Sequence, residues 1–384
     1  MGLVWDQVLL VFRKEVKDNL RDRRTLMAAL LYPLLGPVLV VGILVVMGSS
    51  LRKDAEKTLE VPVVGAENAP SLIQFISQQD VEVLEPPEDP VEAVRSGELD
   101  VVLVIPEDYG EKFNTGRPAK VELIVDDSRD SSRLEVRRLE GLLNSYSRQI
   151  GSLRLMARGV NPTIARALAV QHRDLATDQS QGARILGMAP YFIVLSIFMG
   201  GLYLAIDTTA GERERGSLEP LLITPVSRGG LVSGKALATL LFTLAALVET
   251  LIAFAVILNY VPIERYLGIR IGMSGKALWL IFLISFPMAL PATALQMLIA
   301  SLTRSFKEAQ NYLAVLPLVP AIPGMLLAFL PVKPKLWMML VPTYGQQILI
   351  SRALRDEPIS GLHLATSIGA SLAVGLLVLI VVGK

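Results

Sequence analysis

Six long stretches of this chain hold a single charged residue among them, and no other feature constrains its fold as strongly. They are Leu26–Ser50, Ile185–Ile206, Ala236–Leu258, Ala277–Leu302, Ala309–Val332 and Leu364–Gly383, and the one charge is Glu249. Each has about 20 residues or more, enough for a helix rising 1.5 Å per residue to cross roughly 30 Å of hydrocarbon. The first run is too long for the apolar core of a signal peptide and reads as a retained span. A shorter stretch, residues 336–351, holds Pro342 and Gly345 and reads as a re-entrant outer segment. The composition agrees: 52% of residues are apolar and 19% charged, against about 25% charged in a soluble domain. The expected fold is an α-helical polytopic membrane protein with six transmembrane helices and an extracytoplasmic α/β domain inserted between helices one and two.

Several function classes are disfavoured at once. The net charge of +1 gives no reason to expect nucleic acid. There is no cysteine, so no disulfide, thiolate metal site or cysteine nucleophile can form. His172 and His363 are the two histidines, and neither belongs to a metal-binding pattern of the H-E-x-x-H kind. A membrane enzyme would need a nucleophile–base pair or a metal cluster near a span end, and the sequence offers neither.

Lys and Arg near the span ends set the orientation. With the N-terminus inside, thirteen fall on inner segments, among them Arg13, Lys14, Lys17, Arg213, Arg215, Arg228 and Lys235; seven fall on short outer loops. Both termini are therefore expected in the cytoplasm. Residues 1–24 read as an amphipathic interfacial helix, with Trp5, Val8, Leu9, Phe12, Val16 and Leu20 on one face. Residues 25–50 form the first span.

Residues 51–184 read as a separate domain. Apolar β-branched runs at Val61–Gly65, Val81–Leu84, Val101–Ile105 and Lys120–Val125 alternate with short helical patterns, which points to a small, largely parallel sheet. Ser71 is a candidate helix cap, Ser131 to about Arg158 reads as helix, and Asn161-Pro162 opens another. Asp126-Asp127 could hold a metal or could be a solvated loop.

Residues 185–384 hold spans two to six, with the cytoplasmic segment 208–235 between spans two and three. There the run Gly211-Glu212-Arg213-Glu214-Arg215-Gly216-Ser217-Leu218-Glu219-Pro220-Leu221-Leu222-Ile223-Thr224-Pro225-Val226-Ser227-Arg228 sets a dense charged patch before a small apolar set. Apolar residues rimmed by charge can mark a docking surface; an ordinary solvated loop would look similar. The run resembles the coupling region of type-2 ABC exporter permeases. It matches that pattern at Glu212, Glu214, Gly216, Ser217, Leu218, Glu219, Leu221, Leu222, Thr224, Pro225 and Arg228, and further at Gly234 and Lys235. The L-E-P-L-L form followed by T-P-V-S-R resembles the sodium-exporting Nat-type branch in particular.

That resemblance implies a transmembrane permease subunit that exports substrate by alternating access. It implies a homodimer or close heterodimer of permease chains and two copies of a separate ABC ATPase subunit that binds ATP and Mg²⁺. The coupling residues would dock on that ATPase. This chain would carry no cofactor and would sit among lipid in the inner membrane of a prokaryote. The cargo could be Na⁺, or a lipid, drug or peptide. A membrane scaffold or sensor built around the outer domain is the alternative of another class, and it would not need the coupling run. Gly229 to Lys235 also reads G-x-x-x-x-G-K, but Ala236 stands where a phosphate-binding loop needs Ser or Thr, and no strand precedes it.

Glu249 is a functional candidate because a carboxylate at bilayer depth is costly unless paired, protonated or wetted. It could line the transport path, or be a protonated group bonded to a neighbouring helix. Gln296 and Asn311 are weaker candidates for the path. Pro287 and Pro291 in span four, and Pro317, Pro320 and Pro323 in span five, predict kinked or broken helices.

Overall fold

A computed structural model describes residues 2–383, apart from 57, 127, 130–131, 166–167, 169–170, 172–185, 218–219, 221–225, 263, 268–271 and 330–331. Two compact units emerge, one formed by residues 1–52 with 175–384, the other by residues 53–174.

The first unit is helical. Helix α1, Gly2–Arg21, is followed by α2, Arg23–Glu56, which contains span one. Among the described residues, six helices are long and apolar enough to cross a membrane: Ala29–Ser50, Leu186–Glu214, Arg228–Tyr260, Gly275–Leu302, Phe306–Leu327 and Gly361–Val382, spans one to six. Span two is innermost: its most apolar stretch is 78% buried within the chain, against 17% for span six. The core gathers around Ile193, Ile197, Phe198, Leu247, Phe254, Ile281, Met288 and Leu349.

The prolines act where expected. Span four breaks into a 3-10 turn at Phe286–Met288, and span five is interrupted between Val315 and Leu318, with Pro323 inside the second piece. Pro37, inside α2, has no N–H to give the Pro33 carbonyl four residues back. Thr250 Oγ1 of span three donates to that carbonyl at 3.2 Å, the re-satisfaction a proline inside the bilayer requires. Residues 336–351 fold as a 3-10 turn, Leu336–Leu340, and the start of a helix, Tyr344–Leu354, whose Gln346 and Gln347 are fully buried.

The second unit is a four-stranded sheet with helices. Its elements are β1 Leu59–Val64, α3 Pro70–Ser77, β2 Val81–Leu84, α4 Pro90–Ser96, β3 Val101–Val104, α5 Tyr109–Asn114, β4 Glu122–Val125 and α6 Ser132–Ala157. The order is β2-β1-β3-β4, parallel except for the edge pair β3–β4. Val61, Val63, Val101, Leu103, Ile76 and Leu139 form its apolar centre.

Two local expectations change. α3 is capped by Ala69 with Pro70 at its first position, so Ser71 lies inside the helix; the fixed φ and missing N–H of proline suit that position better than a serine cap one residue later. Pro162 opens a 3-10 turn, Pro162–Ala165, and the residues that would continue it as a helix lie outside those described. Asp126 is engaged by the Ser128 amide and hydroxyl at 3.0 and 2.6 Å, a local turn; Asp127 lies outside the described residues.

Candidate functional site

The described part of the connection between spans two and three is built from charges that bond to other elements, with Glu212 buried and Arg213, Glu214 and Arg215 exposed. Span two changes to a wider π turn over Asp207–Gly211 before ending at Glu214. Such turns occur often at functional sites. The next four side chains each reach a different element. The Glu212 carboxylate, 5% exposed, pairs with Lys235 of span three, which is 3% exposed. Lys235 Nζ also donates to the Thr208 carbonyl at 2.5 Å. Arg213 Nη1 donates to the Thr303 carbonyl, just past span four, at 2.6 Å. Glu214 Oε2 accepts from the Phe306 amide, the first of span five, at 2.6 Å. Arg215 turns back to Asp207 of span two at 2.8 Å.

Helix α1 closes the cluster from the other side. Its Lys14 lies 3.7 Å from Glu212 Oε1 and 3.1 Å from Glu15. Glu15 and Asn19 are buried on the face of α1 that carries Val8 and Val11. Burial pushes the Glu15 carboxyl above the ordinary glutamate range, and the ammonium groups of Lys235 and Lys14 pull it part of the way back. Further along α1, Gln7 Oε1 accepts from the Ser227 amide at 3.4 Å. Close approach of α1 and span three depends on Gly234, where an added Cβ would lie 2.7 Å from Val11 Cβ.

Two acidic and two basic groups thus meet in a site where Glu15, Glu212 and Lys235 are buried and Lys14 reaches solvent. A buried ion pair left with one partner is strongly destabilising, whereas the intact pair is close to neutral. The arrangement therefore holds geometry more than it adds stability. Past it, Gly216 takes φ +67, which glycine adopts without cost, and Ser217 bonds back to the Glu212 carbonyl. Leu218, Glu219, Leu221, Leu222, Thr224 and Pro225 lie outside the described residues. The chain returns at Ser227, whose hydroxyl caps span three by accepting from Gly230 N; Arg228 follows as its first, exposed residue. Gly229 to Lys235 is thus the opening of a helix, and its lysine is engaged by Glu212.

The candidates inside the bilayer separate. Gln296 is fully buried and its Nε2 donates at 2.7 Å to the Phe198 carbonyl, beside the helix break at Gly201. Glu249 is half-buried, and its buried Oε2 has no hydrogen-bond partner among the described residues. Asn311 is exposed on span five. Among the described residues no cluster of His, Cys, Asp and Glu is arranged to hold a metal. Glu15, Asn19, Asp207, Thr208 and Thr303 did not stand out in the sequence, although Glu15 and Asn19 fall on the apolar stripe of α1 at helical spacing.

Helices long and apolar enough to cross a bilayer several times over describe a multi-pass membrane protein. Residues 28–384 match the family model for ABC-2 family transporter proteins, and the chain belongs to that family. It is 28% identical over 319 residues to the ABC transporter permease protein NatB of Bacillus subtilis (strain 168), an alignment covering 82% of this chain and 80% of that one. The chain is a permease subunit of an ABC transporter.

Proposed function

We propose that this permease is the membrane half of an export pump, working as a pair of like or closely related chains with two copies of a separate ATPase subunit. The observation that carries the reading is the run 212–215, whose side chains bond to spans two and three, to α1, and to the ends of spans four and five. A push delivered past Gly216 would reach all of these elements together. Alternating access needs such rigid-body coupling. In this reading Leu218, Leu221 and Leu222 are the apolar anchor on the ATPase and Glu219 meets a basic residue there, with Thr224, Pro225 and Arg228 shaping the return. Glu212 and Glu214 hold the cluster together. ATP and Mg²⁺ belong to the partner subunit.

Both termini and residues 208–235 lie in the cytoplasm, and residues 51–184 and 336–351 lie outside, in the inner membrane of a prokaryote. The tryptophans fit these span ends. Trp5, Trp279 and Trp337 are all exposed, and in this topology each stands where a helix meets the headgroups, as tryptophan prefers.

For the cargo, the supporting feature is Glu249, whose unpartnered buried oxygen suits a cation that binds and leaves. The test is ATP hydrolysis by the chain reconstituted with its ATPase, with and without Na⁺. Na⁺ should stimulate hydrolysis. Glu249→Gln should assemble normally and lose that stimulation, and Glu249→Asp should keep part of it. A fully active Glu249→Gln would make Glu249 a structural hydrogen-bonding group and favour lipid, drug or peptide cargo.

A further inference from the structure

A cavity of about 290 Å³ opens inside the α/β unit, between α5, α6 and the loop leading to β4. That is the small end of the 300–1,000 Å³ range of ligand sites. Its walls are aromatic. Phe113 stacks on Tyr109 with ring centroids 5.4 Å apart, and on Tyr146 at 6.3 Å. Its polar groups converge. The Arg154 guanidinium lies 4.7 Å from the centre of the Phe113 ring, and its Nη2 donates to the Phe113 carbonyl at 2.6 Å. A guanidinium carries five N–H donors, so most remain for another acceptor. The Tyr146 hydroxyl is buried against the Tyr109 phenol, and the residue as a whole is 8% exposed. The Tyr109 phenol beside it is pushed up to about 12, first by burial and then by Tyr146, so it stays a neutral donor.

The cavity lining holds one positive charge and no acidic side chain, so an anion is the ligand that the free N–H donors of Arg154 would recognise. We propose that the cavity binds a small organic anion with an apolar or aromatic body, its charge on Arg154 and its body against the Phe113 and Tyr146 rings. The site stands on the α/β unit alone and does not depend on the transport reading.

The test uses the full chain in lipid nanodiscs, with empty nanodiscs as the blank. Benzoate is the probe and benzamide its neutral counterpart, both read by saturation-transfer NMR. Gly151 lines the cavity from within α6, and nothing lies within 4 Å of a Cβ added there. Gly151→Leu therefore fills the cavity while improving the helix, since leucine is the better helix former. Wild type should bind benzoate, and Gly151→Leu should abolish binding at a thermal midpoint no lower than that of wild type. Arg154→Met should weaken binding about tenfold or more, the scale of a hydrogen bond to a charged group. Absence of benzoate binding by wild type, retention of it by Gly151→Leu, or equal binding of benzamide would each overturn the proposal.

Discussion

The membrane unit and the α/β unit bury opposite things. Among the described residues, every buried polar or charged side chain other than tyrosine belongs to the membrane unit, from Glu15 and Glu212 to Gln296, Gln346 and Ser371. The exposed large apolar side chains belong to it too, all but Val91, Leu153, Met156, Ile164 and Leu168. In the α/β unit water does the sorting, and Val61, Val102, Leu103 and Ile76 lose all exposure. Between helices in a bilayer that driving force is absent, because lipid tails are as apolar as leucine. Helices must then hold one another by close approach, as at Gly200 against Ala246, and by polar contacts, as at Gln296 and Thr250. One unit therefore spreads its stability over many small contacts. The other depends on a few groups, each expensive to leave half-paired.

Removing one such group should produce a large effect. Lys235→Met leaves the buried Glu212 carboxylate with only the exposed Lys14, 3.7 Å away, and should cost about 3 kcal/mol, read as a lowered unfolding midpoint of the purified chain. Adding Glu212→Gln to the same chain should recover most of that loss. Equal loss in single and double variants would mean that the two residues are not coupled. In the α/β unit, Leu103→Ala should cost about 2–4 kcal/mol through lost burial and the cavity left behind, and no second polar change should rescue it. A Leu103→Ala chain that unfolds like wild type would remove the contrast.

The smallest effect is on pH dependence. The folded chain holds the Glu15 proton to higher pH than the unfolded chain does, because burial raises its carboxyl pKa. Its contribution to stability is therefore complete below the ordinary glutamate value of 4.5 and is lost as pH rises through the folded value. Glu15→Gln should flatten the fall in unfolding midpoint over that window. An unchanged slope would remove Glu15 from the charge cluster.

The spans were legible because apolar runs of that length have few other folds available. Their ends were less so, and the reason is the cluster itself. The charge-free run of span three begins at Ala236, but the helix begins at Arg228, because Lys235 is neutralised by Glu212 and Ser227 supplies the cap. Span two likewise runs past Ile206 to Glu214. Charges read from the sequence as boundaries are paired inside the bundle, and pairing between residues 23 positions apart leaves no periodic trace. Glu15 could have been found: it lies four residues after Val11 on the buried face of α1, where a solvated glutamate would not stand. The π turn at Asp207–Gly211 has no sequence signature, and the cavity beside Tyr146 depends on how α5 and α6 pack, which local pattern does not set.

The reading of residues 211–228 as the contact with an ATPase meets its most direct test in Leu221→Asp. The chain would be purified with its native ATPase, and both co-purification and ATP hydrolysis compared with wild type. Truncating an anchor at a packed interface costs about 1–3 kcal/mol, and a buried unpaired aspartate costs more. The expected result is an inserted, folded permease that no longer retains or stimulates the ATPase. A Leu221→Asp complex that keeps both its assembly and its stimulated hydrolysis would contradict the docking role of this segment.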